Sequence, residues 1–250
     1  MLRGFYISAN NIINQERALN VTTNNIANSS TAGYKRELSM PTTFEERLLL
    51  LRSRKNETGT IQYRTQAYTW TDTEQGTFEY TYKPLDLALR GNVFFNIEGR
   101  VSGERWLTRD GQFAIDGEGY LSLGTAGRIL DENGQPIPLG TSDFEVSEDG
   151  VITTGDGRTF TLGLTYVDDY TDMERYGDNM FRPYDGAQIG NIPDDAEYRV
   201  IQGAYERSNV DLGEEMVDAM AYQRNFEASA QALQIMNSVN SIVANDLMKI

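Results

Sequence analysis

Residues 1–33, MLRGFYISANNIINQERALNVTTNNIANSSTAG, place Leu2, Phe5, Ala9, Ile12, Glu16, Leu19, Thr23 and Ile26 at alternating steps of three and four. That spacing keeps them on one face of an α-helix, as the a and d positions of a heptad, with Glu16 and Thr23 as polar members that weaken the seam. No Pro interrupts the run, and its one early Gly is Gly4. The seam stops at Asn28-Ser29-Ser30-Thr31-Ala32-Gly33, a cluster of turn formers that ends a helix.

The far end of the chain mirrors this. Asp211, followed three residues later by Glu214, fits a capping box with Asp in the capping place, where its carboxylate accepts from the first free backbone N–H groups. Leu212, Met216, Ala219, Gln223, Phe226, Ala230 and Leu233 continue the three-four stepping, and the stripe then drifts to Met236, Val239, Val243 and Leu247. No Pro or Gly interrupts residues 214–250, so the spacing predicts one long helix. Two amphipathic helices at opposite ends invite pairing with each other. Their pattern fits an ordinary helical hairpin, and it fits equally a surface meant for neighbouring molecules.

Between them the period changes to two. Leu85, Leu87 and Leu89 alternate with Asp86, Ala88 and Arg90, and Gly91-Asn92 then leads into Val93, Phe95 and Ile97, a hairpin signal. Further short strands are expected at 106–109, 113–115, 120–123, 128–130, 144–146, 151–153 and 159–167. Asp116-Gly117, Asn133-Gly134, Asp149-Gly150 and Asp156-Gly157 supply turns. Residues 171–195, with scattered Asp, Gly and Pro, read as loop with little strand. The fold class is therefore mixed. N- and C-terminal helices pair as a coiled-coil-like domain (1–33 plus 208–250), 34–84 is an extended connection, and 85–207 form a central all-β antiparallel domain.

Composition removes most chemistry. The 250 residues contain no Cys and no His. Ser-His-Asp and Cys-His nucleophiles, thiolate zinc sites and His-based metal centres all go with them. Carboxylate pairs remain, as in glycoside hydrolysis, but no Asp or Glu pair stands out from the solvated surface. The Asp-Gly steps lack a calcium loop's D-x-D-x-D-G run, and Gly124-Thr125-Ala126-Gly127 lacks the Gly-Lys-Ser/Thr ending of a phosphate loop. Trp70 and Trp106 could stack on sugars, although aromatics in sheets more often fill cores. Neither catalytic nor metal-binding residues, nor a cofactor, are expected.

Charge is uneven. Residues 1–60 carry 8 Lys/Arg against 5 Asp/Glu, whereas 61–200 carry 11 against 25, and the whole chain has a net charge of -15. So acidic a centre repels phosphates, which argues against a nucleic-acid partner. Mean hydropathy is -0.50, and no apolar run approaches bilayer length, so no membrane insertion is expected. Residues 1–9 lack the apolar stretch and small-residue site of a cleaved signal.

The residues also carry a family likeness. Residues 24–36, NNIANSSTAGYKR, resemble the N-terminal motif of the axial proteins of the bacterial flagellum, the rod and hook family. Residues 85–95, LDLALRGNVFF, and 108–113, TRDGQF, look like that family's central stretch. Residues 202–211, QGAYERSNVD, with 214–217, EEMV, and 223–227, QRNFE, resemble its C-terminal motif. One departure is Ala32, where the family often carries Pro.

The resemblance implies a structural subunit of the basal-body rod, polymerising through its terminal helices into a torque-transmitting filament with the β domain outside. Its partners would be copies of itself and related axial proteins. It would leave the cytoplasm through the flagellar type III export gate, without a cleaved signal. Phe44 and Leu48 match the F-x-x-x-apolar element that exported subunits present to that gate. On pattern and resemblance together, the assembly contacts are expected at Leu2, Phe5, Ala9, Ile12, Leu19, Asn25, Ile26 and Asn28, and at Leu212, Met216, Phe226, Ala230 and Leu233. A hook or hook-junction subunit would have a longer outer insertion than this chain. A secreted carbohydrate-active β protein using paired carboxylates is the alternative from another class.

Overall fold

The computed structural model describes residues 2–41, 67–99, 104–167, 173–177, 179–184, 189–190, 192–193 and 196–247. An N-terminal helix, a β-rich middle and a C-terminal helix follow one another along the chain. Two compact units result. One comprises Met1–Ala27, Glu37–Trp70 and Asp211–Ile250, and the other comprises Asn28–Arg36 and Thr71–Val210.

In the first unit, α1 (Leu2–Ala27) and α2 (Leu212–Leu247) pack along one another. Their direction is antiparallel, because Asn11 meets Ser229 while Asn25 meets Glu215. Asp211 starts α2 as expected: its Oδ1 accepts the N–H groups of Gly213 at 2.8 Å and Glu214 at 3.1 Å. Strand Glu37–Pro41, paired with Ala67–Thr71, lies against α1. Asn25 fixes it there, exchanging hydrogen bonds with both the N–H and the C=O of Glu37.

The second unit is antiparallel in all its recorded ladders. Its largest sheet runs Met173–Tyr176, Met180–Pro183, Arg105–Thr108, Val93–Gly99, Gly127–Ile129, Leu121–Leu123, Ala114–Ile115, with Leu164–Val167 also pairing Val93–Gly99. The seven-residue central strand explains the core. Val93, Phe95 and Ile97 enter the main apolar cluster with Leu87, Leu89 and Trp106, while Phe94 enters a smaller one with Leu107, Val167, Met173 and Phe181. Phe95 meets Phe113 edge-on at 4.9 Å, and Phe94 meets Phe181 at 5.6 Å. The hairpin Phe144–Val146/Val151–Thr154 and the next, Val151–Thr154/Thr159–Thr161, turn through Gly150 and Gly157, both at φ 84.

Two local expectations change. Gly91 turns the chain at φ 94, but Leu87–Arg90 does not pair with Val93–Gly99; its ladder partner is Arg199–Gln202. The reason is that the Arg109 guanidinium donates to the carbonyls of Leu89 and Gly91, so the connection is bonded to a side chain instead of closing a hairpin. Within 171–195, Met173–Tyr176 and Met180–Pro183 form a hairpin that joins the main sheet. Met173, Met180 and Phe181 are buried there. Three apolar residues among Asp, Arg and Gly are too sparse to show a period of two.

Candidate assembly surface and its internal anchor

The segment after α1 belongs to the β unit, and charge holds it there. Glu206 is buried on strand Ala204–Glu206. Its Oε1 accepts from Lys35 Nζ at 2.6 Å and the Gly76 N–H at 3.0 Å. Its Oε2 accepts from Arg109 Nη1 at 3.1 Å and Gln75 Nε2 at 3.5 Å. Lys35 and Arg109 are as buried as the acid. Burial pushes the Lys35 ammonium below the ordinary lysine range; Glu206 opposes that shift and Arg109 adds to it. A carboxylate saturated by four donors and closed to solvent has no place for a substrate, so this cluster is structural rather than catalytic.

Around the ions, backbone contacts complete the anchor. Gly33, at φ 65, donates its N–H to Glu206 O at 2.7 Å, and a Cβ there would lie 2.5 Å from the Arg109 carbonyl carbon; only glycine fits. Asn179 Nδ2 donates to Ala32 O at 3.0 Å, and Arg175 lies over the Tyr34 ring at 4.0 Å. Arg36 N–H donates to Asn209 Oδ1 at 2.7 Å. Next to this turn, burial raises the Asp110 carboxyl to about 6, with Asp86 adding and the Gln112 N–H opposing. None of this anchor was legible as a site. Single charged residues give no hint of a partner 171 positions away.

The helical unit buries a polar stripe. Ala18, Thr22 and Asn25 of α1 are buried, as are Glu215 and Ser229 of α2. Asn11 Nδ2 donates to Ser229 Oγ at 2.7 Å, and Asn25 Nδ2 to Glu215 Oε2 at 3.1 Å. Each buried position directly precedes a seam residue: Leu19, Thr23, Ile26, Met216 and Ala230. The helices thus meet through faces turned about 100° from the apolar stripes.

The expected contact residues take the following places. Asn25 is buried inside the unit, and Ala9, Ile12, Leu19, Ile26, Asn28, Ala230 and Leu233 are half-buried. Leu212, Met216 and Phe226 are exposed, by 43%, 50% and 37%. Leu2 and Phe5 belong to α1. Phe44 and Leu48 lie outside the described residues. Sequence reasoning missed Val217, Met220, Ile235 and Ile242, exposed apolar residues on the outward side of α2. Trp106 is buried and stacked on Tyr176 at 4.2 Å, so it packs the sheet and leaves no face for a sugar. Among the described residues no three or more Asp or Glu side chains gather as a metal site would need, and no described helix is long and apolar enough to cross a membrane.

Three family descriptions match in succession. "Flagella basal body rod protein" covers residues 5–35, "Flagellar hook protein FlgE/F/G D1 domain" covers 88–154, and "Flagellar basal body rod FlgEFG protein C-terminal" covers 201–247. Together they span more than half of the chain. The chain is also similar to curated proteins along nearly its whole length. It is 29% identical to the flagellar basal-body rod protein FlgF of Rhizobium meliloti, over 91% of this chain and 90% of that protein. It is 28% identical to FlgF of Caulobacter vibrioides, over 93% of each. With the basal-body rod protein FlgG of Agrobacterium fabrum it shares 29% identity, over 98% of this chain and all of the other.

Proposed function

The chain belongs to the flagellar basal-body rod protein family, and from this we infer that its two helices are the polymerising part of a structural rod subunit. It is a structural protein of the flagellar basal body and not an enzyme. The observation that carries the helical reading is the polar seam between α1 and α2. Their mutual contact uses Asn11, Asn25, Glu215 and Ser229, which leaves Leu212, Met216 and Phe226 facing solvent on a subunit that assembles. Burial of such side chains against neighbours stabilises by roughly 1.5–3 kcal/mol each. Coiled-coil-like pairing is supported by spacing: Asn11 to Asn25 and Glu215 to Ser229 are both fourteen residues, two heptads, so the contacts recur in phase.

In this reading Leu2, Phe5, Ala9, Ile12, Leu19 and Ile26 join Leu212, Met216, Phe226, Ala230 and Leu233 at the contacts with copies of this chain and related axial proteins. Asn25 and Asn28 shape the end of α1. Export through the flagellar type III gate, with Phe44 and Leu48 as the recognised element, completes the proposal. Normal secretion of a Phe44→Ala/Leu48→Ala chain would remove those two residues from that role. The central test is location. Isolated basal bodies should contain the tagged chain, and a strain carrying Leu233→Asp should lose motility. A motile Leu233→Asp strain would overturn the helical interface.

A further inference from the structure

Tyr82 is 88% exposed, more than any other large hydrophobic side chain among the described residues. Its backbone also sits at φ 59, in the left-handed region that glycine and asparagine tolerate and other side chains rarely adopt. Hydrogen bonds impose that geometry. The N–H groups of Thr81 and Tyr82 both donate to Gly203 O, at 2.8 and 2.9 Å, Thr81 Oγ1 donates to Asp86 Oδ2 at 2.5 Å, and the Lys83 N–H donates to Thr81 Oγ1 at 3.3 Å. Tyr80, 60% exposed, lies two residues earlier on strand Phe78–Tyr80. A tyrosine whose ring stands in water gains little within its own chain from a strained backbone. Strain of this kind, over-determined by its surroundings, characterises contact positions, and rigidly held tyrosines are typical interface anchors.

We propose that Tyr80 and Tyr82 anchor one subunit to the next by receiving the outward face at the start of α2 of a second copy, formed by Met216, Val217 and Met220. The proposal rests on the rod-subunit reading, which makes a second copy an available partner. Met216, Val217 and Met220 are 50%, 60% and 53% exposed, and thioether side chains pack favourably on aromatic rings. Charge agrees: exposed Lys83 follows Tyr82, while Glu214 and Asp218 flank Val217.

The absence of cysteine makes the test clean. Two differently tagged chains, one Tyr82→Cys and one Val217→Cys, are expressed together, and isolated basal bodies are oxidised with copper phenanthroline. A disulfide-linked pair carrying both tags is expected. Both chains present in basal bodies with no such pair, or linkage only between two Tyr82→Cys copies, would overturn this contact and leave the rod reading standing. Absence of both chains from basal bodies would overturn the rod reading itself. As a second measurement, Tyr82→Asn should leave the thermal midpoint of the purified chain unchanged or higher while reducing the swimming halo at least threefold. A full-sized halo would sink the anchor.

Discussion

Glu206 balances two buried cations, so loss of its charge is felt at once. Glu206→Gln keeps the shape but removes the carboxylate charge that Lys35 and Arg109 share in a sealed site. Equilibrium unfolding should register a loss of about 3 kcal/mol; a loss under about 1 kcal/mol would mean that the ions are not what holds the segment. Asp110 behaves in the opposite sense. Its carboxyl is raised from 3.8 to about 6 in the folded chain, so between those values the folded state binds more protons than the unfolded one. Stability should therefore fall as pH rises from 4 through 6. Asp110→Asn should remove that slope and gain on the order of 2 kcal/mol at pH 8, since its amide oxygen can still accept from the Gln112 N–H. Identical pH profiles for the two proteins would contradict the burial argument. At this scale the sequence was least informative. Lys35, Arg109 and Glu206 are ordinary letters until the fold brings them within hydrogen-bond distance.

The two sides of each helix should respond to change in different ways. Asn25→Ala deletes a buried amide bonded to Glu37 and Glu215, and should destabilise the isolated subunit by about 1–3 kcal/mol. Met216→Asp lies on an exposed face and should shift monomer stability by no more than about 1 kcal/mol, yet block assembly. Thermal unfolding of the dilute protein beside a motility assay separates the two; a motile Met216→Asp strain would exclude that face from the interface. Periodicity located the apolar stripes and the α2 cap at Asp211. It could not say that the helices meet through the neighbouring polar stripe, because a heptad pattern marks what is apolar and not which partner covers it. Strands buried on one face or both, such as Val93–Gly99, were equally legible from alternation. The hairpin at Met173–Pro183 was not, because its few apolar residues are spread over two cores.

The β unit owns its apolar clusters, so a fragment of residues 28–210 should fold with strand-rich circular dichroism and fail to polymerise. Shortening it to 37–210 removes Gly33, Tyr34 and Lys35 from the anchor, and should lower the thermal midpoint by roughly 2–8 °C, as expected for a loss of roughly 1–2 kcal/mol in a domain of this size. Equal midpoints would show that the N-terminal segment contributes nothing to the unit. The separation of Lys35 from Glu206 has a further effect, on timing. Any chain that emerges from a ribosome or a conduit with its N-terminus first presents Lys35 long before Glu206, with 171 positions between them. Until Glu206 arrives, the ammonium of Lys35 and the guanidinium of Arg109 repel each other wherever they approach, and Gly33 has no Glu206 carbonyl to bond. Such long-range closure is intrinsically slow. The last fifth of the chain therefore acts as a latch on the β unit, and a molecule still lacking Glu206 has no carboxylate with which to close its anchor.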